Sequence, residues 1–168
     1  VTLNLTALPE GFYNSGTGSS TPDTMTVYLR NATSPYSVVD VAKSEMNSLG
    51  QGTFTFTNAV NGTPYYIVLT HRNSIETWSS AAISFVSNSL TYDFTSASSQ
   101  AYGSNMKLLG SEWTIFAGDV NQDGTVDGSD TQMIDNDAFN FNSGYLATDV
   151  NSDSFVDGSD SQIAGHNS

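Results

Sequence analysis

From Asp119 to Asp130 the chain reads DVNQDGTVDGSD, and from Asp149 to Asp160 it reads DVNSDSFVDGSD, with nine of the twelve positions identical. Numbered 1 to 12, the first stretch places Asp119, Asn121 and Asp123 at positions 1, 3 and 5, and Asp127 and Asp130 at 9 and 12. Thr125 at position 7 contributes a backbone carbonyl. The second stretch repeats the pattern with Asp149, Asn151, Asp153, Phe155 through its carbonyl, Asp157 and Asp160. Hard divalent cations such as calcium take about six to eight oxygen ligands, and alternating carboxylates in one short loop supply them. Two calcium ions, one per loop, are therefore expected. Magnesium fits less well because it holds fewer protein ligands in a tighter octahedron. Merely acidic, soluble turns would not repeat donors at 1, 3, 5, 9 and 12 with an apolar residue at 8 in both copies.

Position 6 must turn sharply, and Gly124 allows it; the second copy has Ser154. A side chain in the left-handed region costs on the order of 1 kcal/mol, so the second site is expected to be weaker unless neighbouring contacts compensate. Val126 and Val156 at position 8 are expected to let the loops lie back to back.

The surrounding chain must position these loops. Net charge is −13, and its distribution is uneven: from Gly118 onward there are ten aspartates and no Lys or Arg. Nucleic acid and anionic membrane surfaces are excluded as partners of this half; a cation is not. With no basic residue in the tail, the metal-free loops are expected to repel themselves and expand, leaving the rest folded. There is no cysteine, so disulfides, thiolate metal sites and Cys nucleophiles are excluded. No apolar run approaches the roughly 20 residues of a membrane span. Val1 in place of an initiator Met, abundant Ser and Thr, and scarce Lys together suggest a processed, secreted protein, extracellular and associated with a cell surface.

Residues 1–117 read as strands. VTLNLTAL and TMTVYLRN alternate apolar and polar residues, and further runs of this kind are separated by segments rich in Gly, Asn, Ser and Pro. The expected architecture is mainly β: an antiparallel two-sheet sandwich, immunoglobulin-like or prealbumin-like, over residues 1–117, followed by a double calcium-loop module over 118–168. SVVDVAKSEMNSL also fits a helical period, but its β-branched content favours a strand. Tyr65, Tyr66, Trp78, Tyr92, Phe94 and Trp113 are read as core or cross-strand residues, not as a sugar platform. In THRNSIETWSS, the polar cluster His71, Arg72, Asn73 and Glu76 is read as a structured loop with an Arg72–Glu76 surface pair, the alternative being a binding loop.

The segment from Gly118 to Ser168 resembles a type I dockerin, a pair of calcium loop–helix repeats. The resemblance implies a secreted module that docks to cohesin domains, with a helix after each loop. TQMIDNDAFNFNSG supplies the first helix, with Met133, Ile134 and Phe139 as core candidates. Only SQIAGHNS follows Asp160, which suggests a second helix of one to two turns. Positions 10 and 11, used for recognition in that family, are Gly128 and Ser129, then Gly158 and Ser159.

No zincin helix, nucleophile elbow or P-loop motif is present, and the sequence offers no catalytic set. Two functions follow. The first is a non-catalytic calcium-binding structural protein, a subunit of an extracellular fibre or cell-surface assembly in which VTLNLTAL adds to a neighbour's open sheet edge. The alternative is a dockerin-type anchoring module whose partner is a cohesin-like protein or a glycan.

Overall fold

The computed structural model describes all 168 residues. Twelve strands precede two helices: β1 (Thr2–Thr6), β2 (Tyr13–Asn14), β3 (Ser19–Ser20), β4 (Asp23–Asn31), β5 (Val38–Met46) and β6 (Gln51–Thr55). Then follow β7 (Pro64–His71), β8 (Ser74–Trp78), β9 (Ile83–Ser84), β10 (Ser89–Asp93), β11 (Lys107–Leu109) and β12 (Glu112–Thr114). The helices are α1 (Gly128–Phe139) and α2 (Gly158–Asn167).

Eight of the strands build two facing sheets, and β2-β3 and β11-β12 form separate two-stranded ribbons. One has the order β5-β4-β7-β8, with β9 also pairing β7, and the other has the order β10-β1-β6. Alternation explains the packing. Met25, Val27 and Leu29 on β4 point inward, as do Leu3 and Leu5 on β1, and all are essentially buried. They meet Phe54, Phe56, Ile67, Leu69, Phe85 and Phe94 in one core. The segment that also fitted a helical period is strand β5, in register with β4 from Asp23↔Met46 to Leu29↔Asp40.

Strand β1 departs from expectation in two ways. It lies in the middle of its sheet, antiparallel to β6 but parallel to β10. Its N–H and C=O groups are therefore already paired on both sides, and it cannot act as an edge for a neighbour. The parallel pairing makes this sheet mixed.

A second, smaller core belongs to the C-terminal segment. Ala117, Val120, Ile134, Val150, Val156 and Ala164 form it, with Val126, Ala138, Leu146, Ala147 and Ile163 packed around them. Of the expected α1 core residues only Ile134 is buried; Met133 and Phe139 are exposed. Asp130, Ile134 and Ala138 recur every fourth residue and define the inward stripe, which leaves the other two on the outer face. Helix α2 has ten residues, longer than the one to two turns expected. The reason is local: Asp157 caps it from inside the loop, so the helix starts at loop position 10 and not after position 12.

The two parts meet along a polar seam. Lys107 Nζ donates to Glu10 Oε1 at 2.6 Å and to Asn167 Oδ1 at 2.8 Å, while Asn167 Nδ2 donates to Glu10 Oε2 and to the Ala117 carbonyl. Gly11 sits here because a Cβ would overlap the Val150 carbonyl oxygen. No helix is long and apolar enough to cross a membrane.

Candidate metal centre

Each twelve-residue loop is shaped by its own side chains accepting its own N–H groups. Asp119 accepts from Asp123 N at 3.1 Å and Gly124 N at 3.2 Å, and Asn121 Oδ1 accepts from Asp123 N at 2.8 Å. Asp123 Oδ1 accepts from the amide and hydroxyl of Thr125. Asp127 caps α1 by accepting from Ser129 N, and Asp130 closes the loop: its Oδ1 accepts from Val120 N at 2.9 Å and Asn121 N at 3.1 Å, its Oδ2 from Asp127 N at 3.0 Å. The second loop repeats this bond for bond with Asp149, Asn151, Asp153, Asp157 and Asp160, except that Phe155 gives Asp153 only its amide. Identical spacing has produced identical geometry.

At position 6, Gly124 has φ +91° and Ser154 φ +72°, so the serine does occupy the left-handed region. Val126 and Val156 share the small core, but the loops do not pair through position 8. Val156 N donates instead to the Asn142 carbonyl at 3.1 Å, because the connecting segment lies alongside the second loop, with Ser143 bridged to Phe155. The hydroxyls of Ser129 and Ser159 at position 11 are turned inward, each donating to the loop's own aspartate and accepting from its asparagine.

The donor set suits a hard cation. Each loop offers four carboxylates, a side-chain amide oxygen and a position-7 carbonyl, and no softer ligand. A carboxylate has about four lone-pair sites, so hydrogen bonding to the loop leaves acceptor capacity on every one. No three carboxylate or imidazole groups converge tightly enough to make a ready-built cluster. Burial raises the proton affinity of Asp119, Asp149 and Asp160; N–H donors offset part of the rise in Asp119 and Asp160, the Arg72 charge and then the Ser154 N–H do so in Asp149, and in Asp119 the Asp130 charge adds to it. Carboxylates whose burial is not fully compensated favour an incoming cation.

One counter-charge is already present, contrary to the expectation that no basic residue reaches the loops. Arg72 Nη2 lies 3.8 Å from Asp149 Oδ2. The expected Arg72–Glu76 pair does not form: Glu76 lies 4.0 Å from Arg30 and accepts from Trp78 Nε1. Arg72 instead donates through Nε to Asp23 at 2.9 Å and stacks on Tyr145 with 4.4 Å to the ring centroid. Tyr145 donates to Asp23 at 2.6 Å, and His71 Nε2 is 3.1 Å from the same carboxylate. The segment that looked like an ordinary surface loop is a buried clasp on the second loop. Sequence reasoning had marked the cluster but not its partners.

Asp23 has a consequence for acid stability. Burial raises its pKa, but hydrogen bonds from His71, Tyr145, Arg72 and Thr24 N–H outweigh burial and hold it well below the ordinary 3.8. A carboxylate depressed in the folded state contributes stability that is fully present above the unfolded pKa of about 4 and is lost as pH falls through the folded value. Urea midpoints taken in calcium from about pH 5 down to about pH 2 should fall more steeply in the native chain than in Asp23→Asn.

Of the aromatic residues read as core or cross-strand, Tyr65, Tyr92 and Phe94 are buried, Trp113 is partly buried against them, and Tyr66 on β7 packs on Trp78 of the neighbouring β8. Tyr66 and Trp78 also pack with Tyr36 and, beside Tyr102, line an open cleft of about 320 Å³.

The dockerin type I domain family matches residues 117–164. No curated protein matches the chain. Among solved structures, a chain of a C-terminal interface mutant of the type II cohesin–X-dockerin complex from Acetivibrio cellulolyticus is similar at 17% identity and TM-score 0.57, covering 99% of this chain and 94% of that one. An N-terminal interface mutant of the same complex gives 16% identity, TM-score 0.57 and the same coverage. The fold likeness thus spans the β part as well as the loops. Residues 117–164 thus form a dockerin-like module appended to a β domain.

Proposed function

We propose that the chain is a non-catalytic anchoring unit that acts outside the cell. Residues 118–168 hold two calcium ions through the twelve positions named above, and the folded module docks a protein partner of the cohesin kind. Residues 1–117 form the domain that carries it. The observation that supports this most strongly is the pair of near-identical loops, each running directly into a capped helix. The module also leaves Met133, Phe139, Phe141 and Phe155 exposed, side chains that its own core does not use. Exposed apolar residues on so small a unit are what a docking face consumes. Since the position-11 hydroxyls are engaged within the loops, partner choice falls to these helix, linker and position-7 residues.

Calorimetry of the full chain against type I and type II cohesins decides the matter. Binding in millimolar calcium that disappears in EDTA is the expected result. Absence of binding to either, with calcium still taken up, overturns the cohesin assignment. Filaments seen by electron microscopy in calcium alone would replace docking with the structural-subunit reading.

A further inference from the structure

The turn from His71 to Ser74, between β7 and β8, touches both calcium loops at once. The Asn73 carbonyl accepts from Gly118 N at 2.7 Å, one residue before the first loop. The Ser74 carbonyl accepts from Gln122 Nε2 at 3.2 Å, inside the first loop. On the other side, Asn73 Nδ2 donates to the Asp149 carbonyl at 3.0 Å, and Arg72 places its guanidinium against the Asp149 carboxylate. Asn73 and Ser74 are fully buried. A four-residue turn of the β domain is thus wedged between the entry and position 4 of the first loop and position 1 of the second.

The two sides of the wedge differ. Toward the first loop it offers neutral hydrogen bonds only. Toward the second it offers the guanidinium cation of Arg72. That cation is fixed by Asp23, by Tyr145 and by Phe12, whose ring centroid lies 5.0 Å from its Cζ. The second loop is also the one with serine in the left-handed position 6. The loop with the poorer backbone has the resident charge, and the loop with glycine has none.

We propose that Arg72 is a positioning residue that stands in for metal at the second loop, keeping it formed before calcium arrives, while the first loop takes its shape only on binding. This rests on the calcium reading above. Loading is then ordered. The second loop is a preformed half against the β domain, and calcium in the first loop completes the module through the shared turn.

Amide hydrogen exchange of the full chain, followed by NMR with and without calcium, tests this. The reporters are the amides of Asp123 and Gly124 in the first loop and of Asp153 and Ser154 in the second, which donate to the position-1 carboxylates. In EDTA, Asp153 and Ser154 should stay protected about ten-fold or more above Asp123 and Gly124, and Arg72→Gln should erase that difference. Arg72→Lys, which keeps charge without the planar fork, should restore part of it. Equal exchange of the two loops in the native chain, or protection unchanged by Arg72→Gln, overturns the proposal. Should Arg72→Gln also expose the β1 and β6 amides, the Asp23→Asn/Arg72→Gln double variant withdraws both charges of the buried pair and carries the same reading. If calcium shifts none of the four amides in the native chain, the calcium reading itself fails, a result distinct from the others.

Discussion

Replacing Asp130 with alanine is expected to abolish the ordered first repeat even in saturating calcium. Its carboxylate is wholly buried and accepts three backbone N–H groups, from Val120, Asn121 and Asp127. Each stranded buried donor costs about 1–3 kcal/mol, so the loss is on the order of 3 kcal/mol or more before any ligand effect. The start of α1 goes with it, because Asp130 is also the N3 partner in the capping box. Loss of helical circular dichroism and new protease cuts between the loops would register the change. Asp130→Asn separates the two roles. It keeps one acceptor oxygen but surrenders the charge, so α1 should form at high calcium with a raised calcium midpoint. Equal damage from both substitutions would show that the charge and the second acceptor oxygen together matter more than the hydrogen bonds the asparagine retains.

Gly11→Ala should strike the seam instead. The added carbon overlaps a backbone carbonyl, that of Val150, and also comes within 3.4 Å of the Val150 Cγ1. A flexible side chain could move aside; a buried peptide group in the small core cannot. Overpacking of this kind costs about 1–3 kcal/mol. For a chain of this size that corresponds to a Tm lowered by about 3–10 °C. Limited proteolysis should release the module while the β core persists. Gly165→Ala is the control, for nothing lies near its Cβ position and the helix should tolerate it. A Gly11→Ala protein as stable as this control would mean that the two parts are not held in register at Val150.

How much of this was legible beforehand divides along sequence distance. The folded shape of the loops is readable from the sequence, because spacing and turn residues lie within twelve positions and local hydrogen bonds set the geometry. The strands were readable from alternation, and the β-branched content of Val38–Met46 gave the correct choice over a helix. What failed was long-range. Arg72 was paired with its neighbour Glu76, but its partners are Asp23 and Asp149, far away in the chain. The parallel pairing of β1 with β10 is invisible to any local pattern. Phe139, an expected core residue of the first helix, is turned outward by the helical period set by Asp130 and Ile134. The length of α2 was misjudged because its cap lies within the metal loop, so counting from the loop's last residue began too late.

The triangle of Glu10, Lys107 and Asn167 joins the last turn of α2 to both ends of the β domain's own chain path. Tension applied by a partner gripping the helices would therefore not travel only through the single backbone crossing near Ala117. It would spread over several bonds loaded together in shear, and the β domain would turn with the helices as one stiff lever.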